Sequence, residues 1–242
     1  MTRTDYEAGA KAYARHPLPN PEVLAALAQG GAVDGQSRVL EVGCGTGNHI
    51  IALTADFACE AHGLEPANEM RAVAQSRDDA MIFHAGSAEN LAAVGDSFDF
   101  IFTVEVIHHM TYRDAYFAGS ARALKPGGRL ATVTDSEDIM RGRMPLVENF
   151  PETVAVELDR YPSIATLRAD MTTAGFTAIS KQGVSHAYDP TDATAYRDRA
   201  FSSLHLIDHT AFESGLARLK ADLAMGPLSC TSRYTLLWGT TN

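Results

Sequence analysis

Glu41 stands two residues ahead of three glycines, Gly43, Gly45 and Gly47, which alternate with Cys44 and Thr46. A short apolar run, Val39 to Val42, precedes them, and a helix-compatible stretch, Asn48-His49-Ile50-Ile51-Ala52-Leu53, follows. That order is a buried strand, a glycine turn and a helix N-terminus. Glycine lets a ligand press against bare backbone, and the first N–H groups of a helix face it unsatisfied. The spacing suits a nucleoside-bearing small molecule at the carboxyl end of a parallel strand. About twenty residues further on, the distance expected of a βαβ unit, Glu65-Pro66 closes a second strand. An ionised carboxylate there can accept from both hydroxyls of a ribose. His108 and His109 follow a later strand, Ser97 to Thr103. They are the candidate general bases, because imidazole titrates near neutral pH. Adjacent residues do not share a helix face, so the pair is a poor metal site.

The pattern lacks the third glycine of the dinucleotide fingerprint, and no phosphate-loop lysine follows it. Its wording is more specific: Glu41-Val42-Gly43-Cys44-Gly45-Thr46-Gly47 resembles the first motif of the class I S-adenosylmethionine (SAM) methyltransferases. The resemblance runs from about residue 35 to 135. It takes in Glu65 and Pro66, the turn Gly86-Ser87-Ala88-Glu89, the Val104-Glu105 segment after the fourth strand, and Leu124-Lys125-Pro126-Gly127-Gly128 before the fifth. These elements are most similar to the ubiquinone and menaquinone biosynthesis type and its small-molecule relatives. The family has aspartate, a partner of the adenine amino group, where this chain has Ser87; Ser87, Glu89 or backbone must then serve. The resemblance implies SAM as cofactor, S-adenosylhomocysteine as product and no metal.

Methyl transfer from a sulfonium asks mainly for alignment of an acceptor lone pair and exclusion of water, so orientation supplies most of the acceleration. A base matters only for an acceptor that holds its proton near neutral pH. Glu105 lies three and four residues before the two histidines and can orient either ring. Tyr6 and Tyr13, seven apart, share a helix face, and with His16 resemble the family's N-terminal lid. Arg141, Arg143, Arg199 and Arg233 lie in the variable regions, where an arginine can clamp an anionic group of the acceptor.

The elements that must position these residues alternate strand and helix from Val39 to Val133, which implies a parallel sheet with right-handed crossovers. The expected fold is α/β: a Rossmann-like, seven-stranded, mostly parallel sheet with helices on both faces and a helical cap. Helices are expected over 5–15 and 21–29, an irregular segment over about 135–162, and a helix over 163–174 stopped at Gly175. A strand over 176–188, mostly helical chain over 191–219, an amphipathic segment over 211–225 and a closing strand over 232–238 complete the order. One domain, 1–242, with cap elements at about 1–30, 136–162 and 189–230, is the economical reading.

The chain has 242 residues, 45% of them hydrophobic, and a formal net charge of −10. That balance disfavours a nucleic-acid partner, whose phosphates demand Lys and Arg. Cys44, Cys59 and Cys230 are scattered, with neither zinc nor disulfide spacing. No stretch approaches a membrane span. A cytoplasmic enzyme acting on a small-molecule acceptor, as a monomer or homodimer, is therefore expected. The alternatives are a non-catalytic SAM-binding regulatory module and, less favoured, a nucleotide-dependent oxidoreductase.

Overall fold

A computed structural model describes residues 19–242 apart from Asp56 and Asp96. Tyr6, Tyr13 and His16, with the first expected helix, lie outside the described residues. Helix α1 (Pro21–Gly31) starts where Asn20 accepts from the N–H groups of Glu22 and Val23, with proline at its first position. Proline costs nothing there, because that N–H has no intrahelical partner.

Strand β1 (Arg38–Val42), α2 (Asn48–Thr54), β2 (Glu60–Glu65), α3 (Asn68–Arg77), β3 (Ile82–Ala85), β4 (Phe98–Val104), α4 (Arg113–Ala123) and β5 (Leu124–Thr134) follow in alternation. Then come α5 (Glu137–Arg141), α6 (Leu146–Asn149), α7 (Glu152–Arg160), α8 (Ile164–Thr173), β6 (Thr177–Tyr188), α9 (Thr194–Arg197), α10 (His209–Met225) and β7 (Cys230–Thr240). The seven strands are ordered β3-β2-β1-β4-β5-β7-β6. All neighbours are parallel except β7, which is antiparallel to both β5 and β6. Strand order reverses between β1 and β4, so a crevice opens at their carboxyl ends, where such sheets bind ligands.

Side chains alternate across the sheet. Leu40, Val42 and Ile101 join one buried cluster with α4 and α8. Val39, Phe100, Phe102 and Val104 join another with α1 and α2. A third cluster, Leu146, Phe150, Tyr196, Leu204, Phe212, Leu216 and Leu219, gathers the helices that follow β5 and β6.

Three sequence expectations need correction. The segment 135–162 is not irregular: Ser136 caps α5, and Pro145 and Pro151 stand at the caps of α6 and α7. These prolines begin helices, because their rings clash only with a preceding turn. The glycine-rich stretch Leu124–Leu130 is not a turn ahead of β5. Leu124 already pairs with Phe98, and the register then jumps to Phe100 with Arg129, so the extra residues form a bulge. The chain over 191–219 is broken into α9, a 3₁₀ turn (Ser202–His205) and the start of α10.

Candidate active site

The glycine turn leaves β1 with Gly43, Gly45 and Gly47 at φ 73°, 55° and 78°. A Cβ on Gly43 would come within 2.7 Å of the Val106 side chain, so the bare backbone is what lets β1 and the β4 exit approach each other. The Gly43 and Cys44 N–H groups both donate to the Leu64 carbonyl, at 2.8 and 3.1 Å. Glu41 is buried, and its Oε2 accepts the N–H of Ile50 at 2.9 Å, tying α2 to β1. Burial pushes its carboxyl well above the usual range. His49 Nδ1 lies 3.6 Å from Glu41 Oε1, but burial holds the imidazole down at about 4, so the contact is not an ion pair at neutral pH. The Cys44 thiol is pushed well above its ordinary value by burial, then by Glu41 and Glu65, which makes it inert as a nucleophile. Thr46 is fully buried, and its carbonyl accepts from Arg77 at 2.7 Å.

Glu65 closes β2 beneath this turn. Its Oε2 accepts the Gly45 N–H and its Oε1 the Ala67 N–H, both at 2.9 Å. Each carboxylate oxygen of Glu65 is thus tied to backbone on one side of the turn. Pro66 follows on the surface. The Gly86 N–H donates to the Glu65 carbonyl at 3.4 Å, which brings the turn of Ser87, Ala88 and Glu89 beside the second strand. Glu89 Oε1 accepts the Thr111 N–H at 3.1 Å. Burial opposes ionisation of Glu89, but hydrogen bonds, Ser87's among them, leave its carboxyl below the ordinary value.

Beyond Val104, the last residue of β4, Glu105 sits at φ 55°, strain that a non-glycine residue bears only where its surroundings enforce it. The Glu105 N–H is held by the Val133 carbonyl at 3.0 Å. Its Oε2 accepts the Tyr161 hydroxyl at 2.8 Å. Its Oε1 is buried with no hydrogen-bond partner among the described residues. Burial raises the Glu105 carboxyl, against the lowering effects of Arg143 and the Tyr161 hydrogen bond. His108 lies in a 3₁₀ turn, Ile107–His109, stacked on Tyr161 with ring centroids 4.0 Å apart and 3.9 Å from the ring of His109. Both His108 ring nitrogens are buried without partners among the described residues, and burial, then His109, drives its pKa well below the ordinary value. Arg143 meets Asp135 at the end of β5 and reaches Glu157 Oε1 at 3.4 Å. Burial opposes the Arg143 charge, yet Glu157, Tyr161 and Glu105 keep the guanidinium firmly protonated.

The structure thus gathers Glu105, His108 and His109 at one edge beside the glycine turn. The expected arginine clamp is dispersed. Arg141 is exposed on α5. Arg199 lies over the Phe212 ring at 3.7 Å and donates to the Leu204 carbonyl. Arg233 donates to the Gly142 carbonyl at 3.1 Å. Asp135, Glu157 and Tyr161 were missed by sequence reasoning. The available signal was Tyr161 immediately ahead of Pro162, where a helix has to end.

A glycine turn at the crevice of a mostly parallel sheet, with an acid closing the second strand, defines a protein that binds a nucleoside-bearing cofactor. Residues 40–132 match the methyltransferase domain family, and over that span the chain is similar to the class I SAM-dependent methyltransferases. Methyltransferase GfsG of Streptomyces halstedii is 28% identical over 68% of this chain and 67% of its own length. The 27-O-demethylrifamycin SV methyltransferase of Amycolatopsis mediterranei is 34% identical over 39% of this chain and 37% of its own. The chain therefore spans little more than a third of that second relative. A solved structure described as a methyltransferase from an antibiotic biosynthesis pathway of Anabaena variabilis superposes with a TM-score of 0.72. It is 21% identical, and the match covers 92% of this chain and 98% of that one; at this identity the likeness is one of fold. Among the described residues no helix is long and apolar enough to cross a membrane.

Proposed function

We propose that this protein transfers the methyl group of SAM to a hydroxyl oxygen of a small molecule. The single observation behind this reading is the continuity of two half-sites. Gly43 of the cofactor turn packs against Val106, and Val106 adjoins Glu105, whose carboxylate, with Tyr161 and His108, forms a buried polar edge. The glycine turn would hold SAM, with Glu41 bracing α2, Glu65 available to the ribose, and Ser87, Ala88 and Glu89 to the adenine. Val104 and Glu105 would line the methyl-donor end of the site, and His108 and His109 would wall the acceptor side. The elements over 136–162 and 189–230 cap the acceptor. Transfer to oxygen, rather than to nitrogen or carbon, is supported by the rifamycin relative, a 27-O-demethylrifamycin SV methyltransferase, and by O-methyltransferases among the other relatives.

The chemistry needs little from the protein beyond alignment of the acceptor oxygen behind the S–CH₃ bond and exclusion of water. The test is incubation with methyl-labelled SAM and a panel of phenols and alcohols, alongside calorimetry with SAM. Label transfer to a hydroxyl supports the reading. SAM binding without transfer to any acceptor points to the non-catalytic binding module, and no SAM binding removes both.

A further inference from the structure

We propose that Glu105, rather than His108, accepts the proton of the acceptor hydroxyl, and that the acceptor carries no anionic group beside that hydroxyl. The inference rests on the methyl-transfer reading above. Its geometric basis is the division of labour between the two carboxylate oxygens. Oε2 is fixed by the Tyr161 hydroxyl at 2.8 Å, while Oε1 is withdrawn from water and has no partner among the described residues. A buried acceptor without a donor costs free energy unless a ligand supplies one. A bound hydroxyl supplies it. The positive φ of Glu105 places this strain at the β4 exit, one residue from the Val106 side chain that packs on the cofactor turn.

His108 is the weaker candidate for the same proton. Its ring is sandwiched between His109 and Tyr161, and burial beside two further cations, Arg160 and Arg143, disfavours its protonated form. Glu105 instead keeps one oxygen fixed by Tyr161 and the other open to a donor. The surroundings also set the charge of the acceptor. Arg143 is already engaged by Asp135 and Glu157, and their side chains are 0% and 5% exposed. With Glu105, three acids surround the Arg143 guanidinium and outnumber it and Arg160 together, so an added anion meets repulsion rather than a free clamp.

The balance is simple. The acceptor O–H proton passes to Glu105 Oε1 as the oxygen lone pair attacks the methyl carbon. The O–CH₃ bond forms, the S–CH₃ bond breaks, and its electron pair stays on sulfur as the neutral thioether of S-adenosylhomocysteine. Glu105 returns its proton to water when product leaves.

The test uses the full chain, methyl-labelled SAM and four probe sets: neutral phenols, neutral aliphatic alcohols, primary amines and ortho-hydroxybenzoates. Neutral hydroxyl probes should be labelled, with phenols and alcohols distinguished by which set turns over. On the best probe, Glu105→Gln should lower kcat by at least about 10²-fold while the SAM dissociation constant stays within about threefold. Tyr161→Phe should move the acidic limb of kcat to higher pH, because the lost hydrogen bond favoured ionised Glu105; this variant carries the test if Glu105→Gln fails to fold. Normal turnover by Glu105→Gln, an unmoved limb in Tyr161→Phe, or labelling only of amines or hydroxybenzoates would overturn the proposal. Absence of SAM binding by the unaltered protein would instead remove the underlying methyl-transfer reading.

Discussion

Glu65 Oε2 accepts the N–H of Gly45 at 2.9 Å, so the second strand holds the cofactor turn through a side chain rather than through sheet pairing alone. The same carboxylate also accepts from Ala67 at the start of α3. One group thus fixes both the turn and the start of α3.

Replacing Glu65 by Ala should weaken SAM binding by about ten- to a hundredfold, since two charge-assisted hydrogen bonds are lost and water replaces them only in part. The fold should persist, because Gly43 and Cys44 still donate to the Leu64 carbonyl. Titration calorimetry with SAM, S-adenosylhomocysteine and NADH checks this. The unaltered protein should bind the first two and not the third.

Gly43→Ala should be more damaging than its single methyl suggests. The residue stands at φ 73°, and the new Cβ would meet Val106 at 2.7 Å. The backbone strain alone costs about 1–3 kcal/mol, and displacement of Val106 would disturb neighbouring Glu105. Chemical denaturation should report the loss of stability. Adding Val106→Ala should recover the steric part and leave the backbone part, so a double variant as stable as the unaltered protein would refute this division.

The sheet was legible because its signals are local. Alternating apolar strands, a glycine turn and an acid at the end of β2 each sit within a few residues of one another. Gly43, Glu65 and the Val104-Glu105 exit could therefore be placed before any contact was known. The acceptor edge was not legible in the same way. Tyr161 reaches Glu105 from 56 positions away in the chain, and Arg143 reaches back to Asp135 from a segment whose prolines read as breaks. Arg199 and Arg233 were plausible clamps because a sequence shows an arginine's charge but not the ring or carbonyl that absorbs it. The departure at Ser87 was visible, whereas its hydrogen-bonded partner Glu89 needed the fold.

His49 should make acid destabilising. Its native pKa is pushed from 6.5 to about 4 by burial. Between those values the unfolded chain binds a proton that the native state does not. The stability from neutral His49 is therefore complete above about 6.5 and is lost as pH falls toward 4. Glu41 works in the opposite direction, since its raised carboxyl makes the native state the better proton binder, but that contribution is common to both proteins compared. His49→Gln should become progressively more stable relative to the unaltered protein as pH falls through this window. Thermal melts at pH 7, 6, 5 and 4 would show it, and a difference independent of pH would contradict the burial argument.

Arg143→Ala should be the most destabilising of these changes. Asp135 is fully buried and Glu157 nearly so; the guanidinium meets both, while the Ser203 hydroxyl also donates to Glu157 Oε1 at 2.9 Å. Removing the guanidinium leaves two buried carboxylates without a cationic partner, which must stay charged or take up protons. Breaking a buried pair in this way costs about 3–5 kcal/mol. Protonation offers partial relief, so the native variant binds protons more tightly than its unfolded chain does, and its stability should fall as pH rises. Urea denaturation at pH 7 and pH 5 should therefore show a larger deficit at pH 7. Arg143→Met with Asp135→Asn and Glu157→Gln should restore much of the stability, because the uncompensated charges are gone. If Arg143→Ala alone were near neutral at pH 7, the guanidinium would not be what holds the end of β5 to α7.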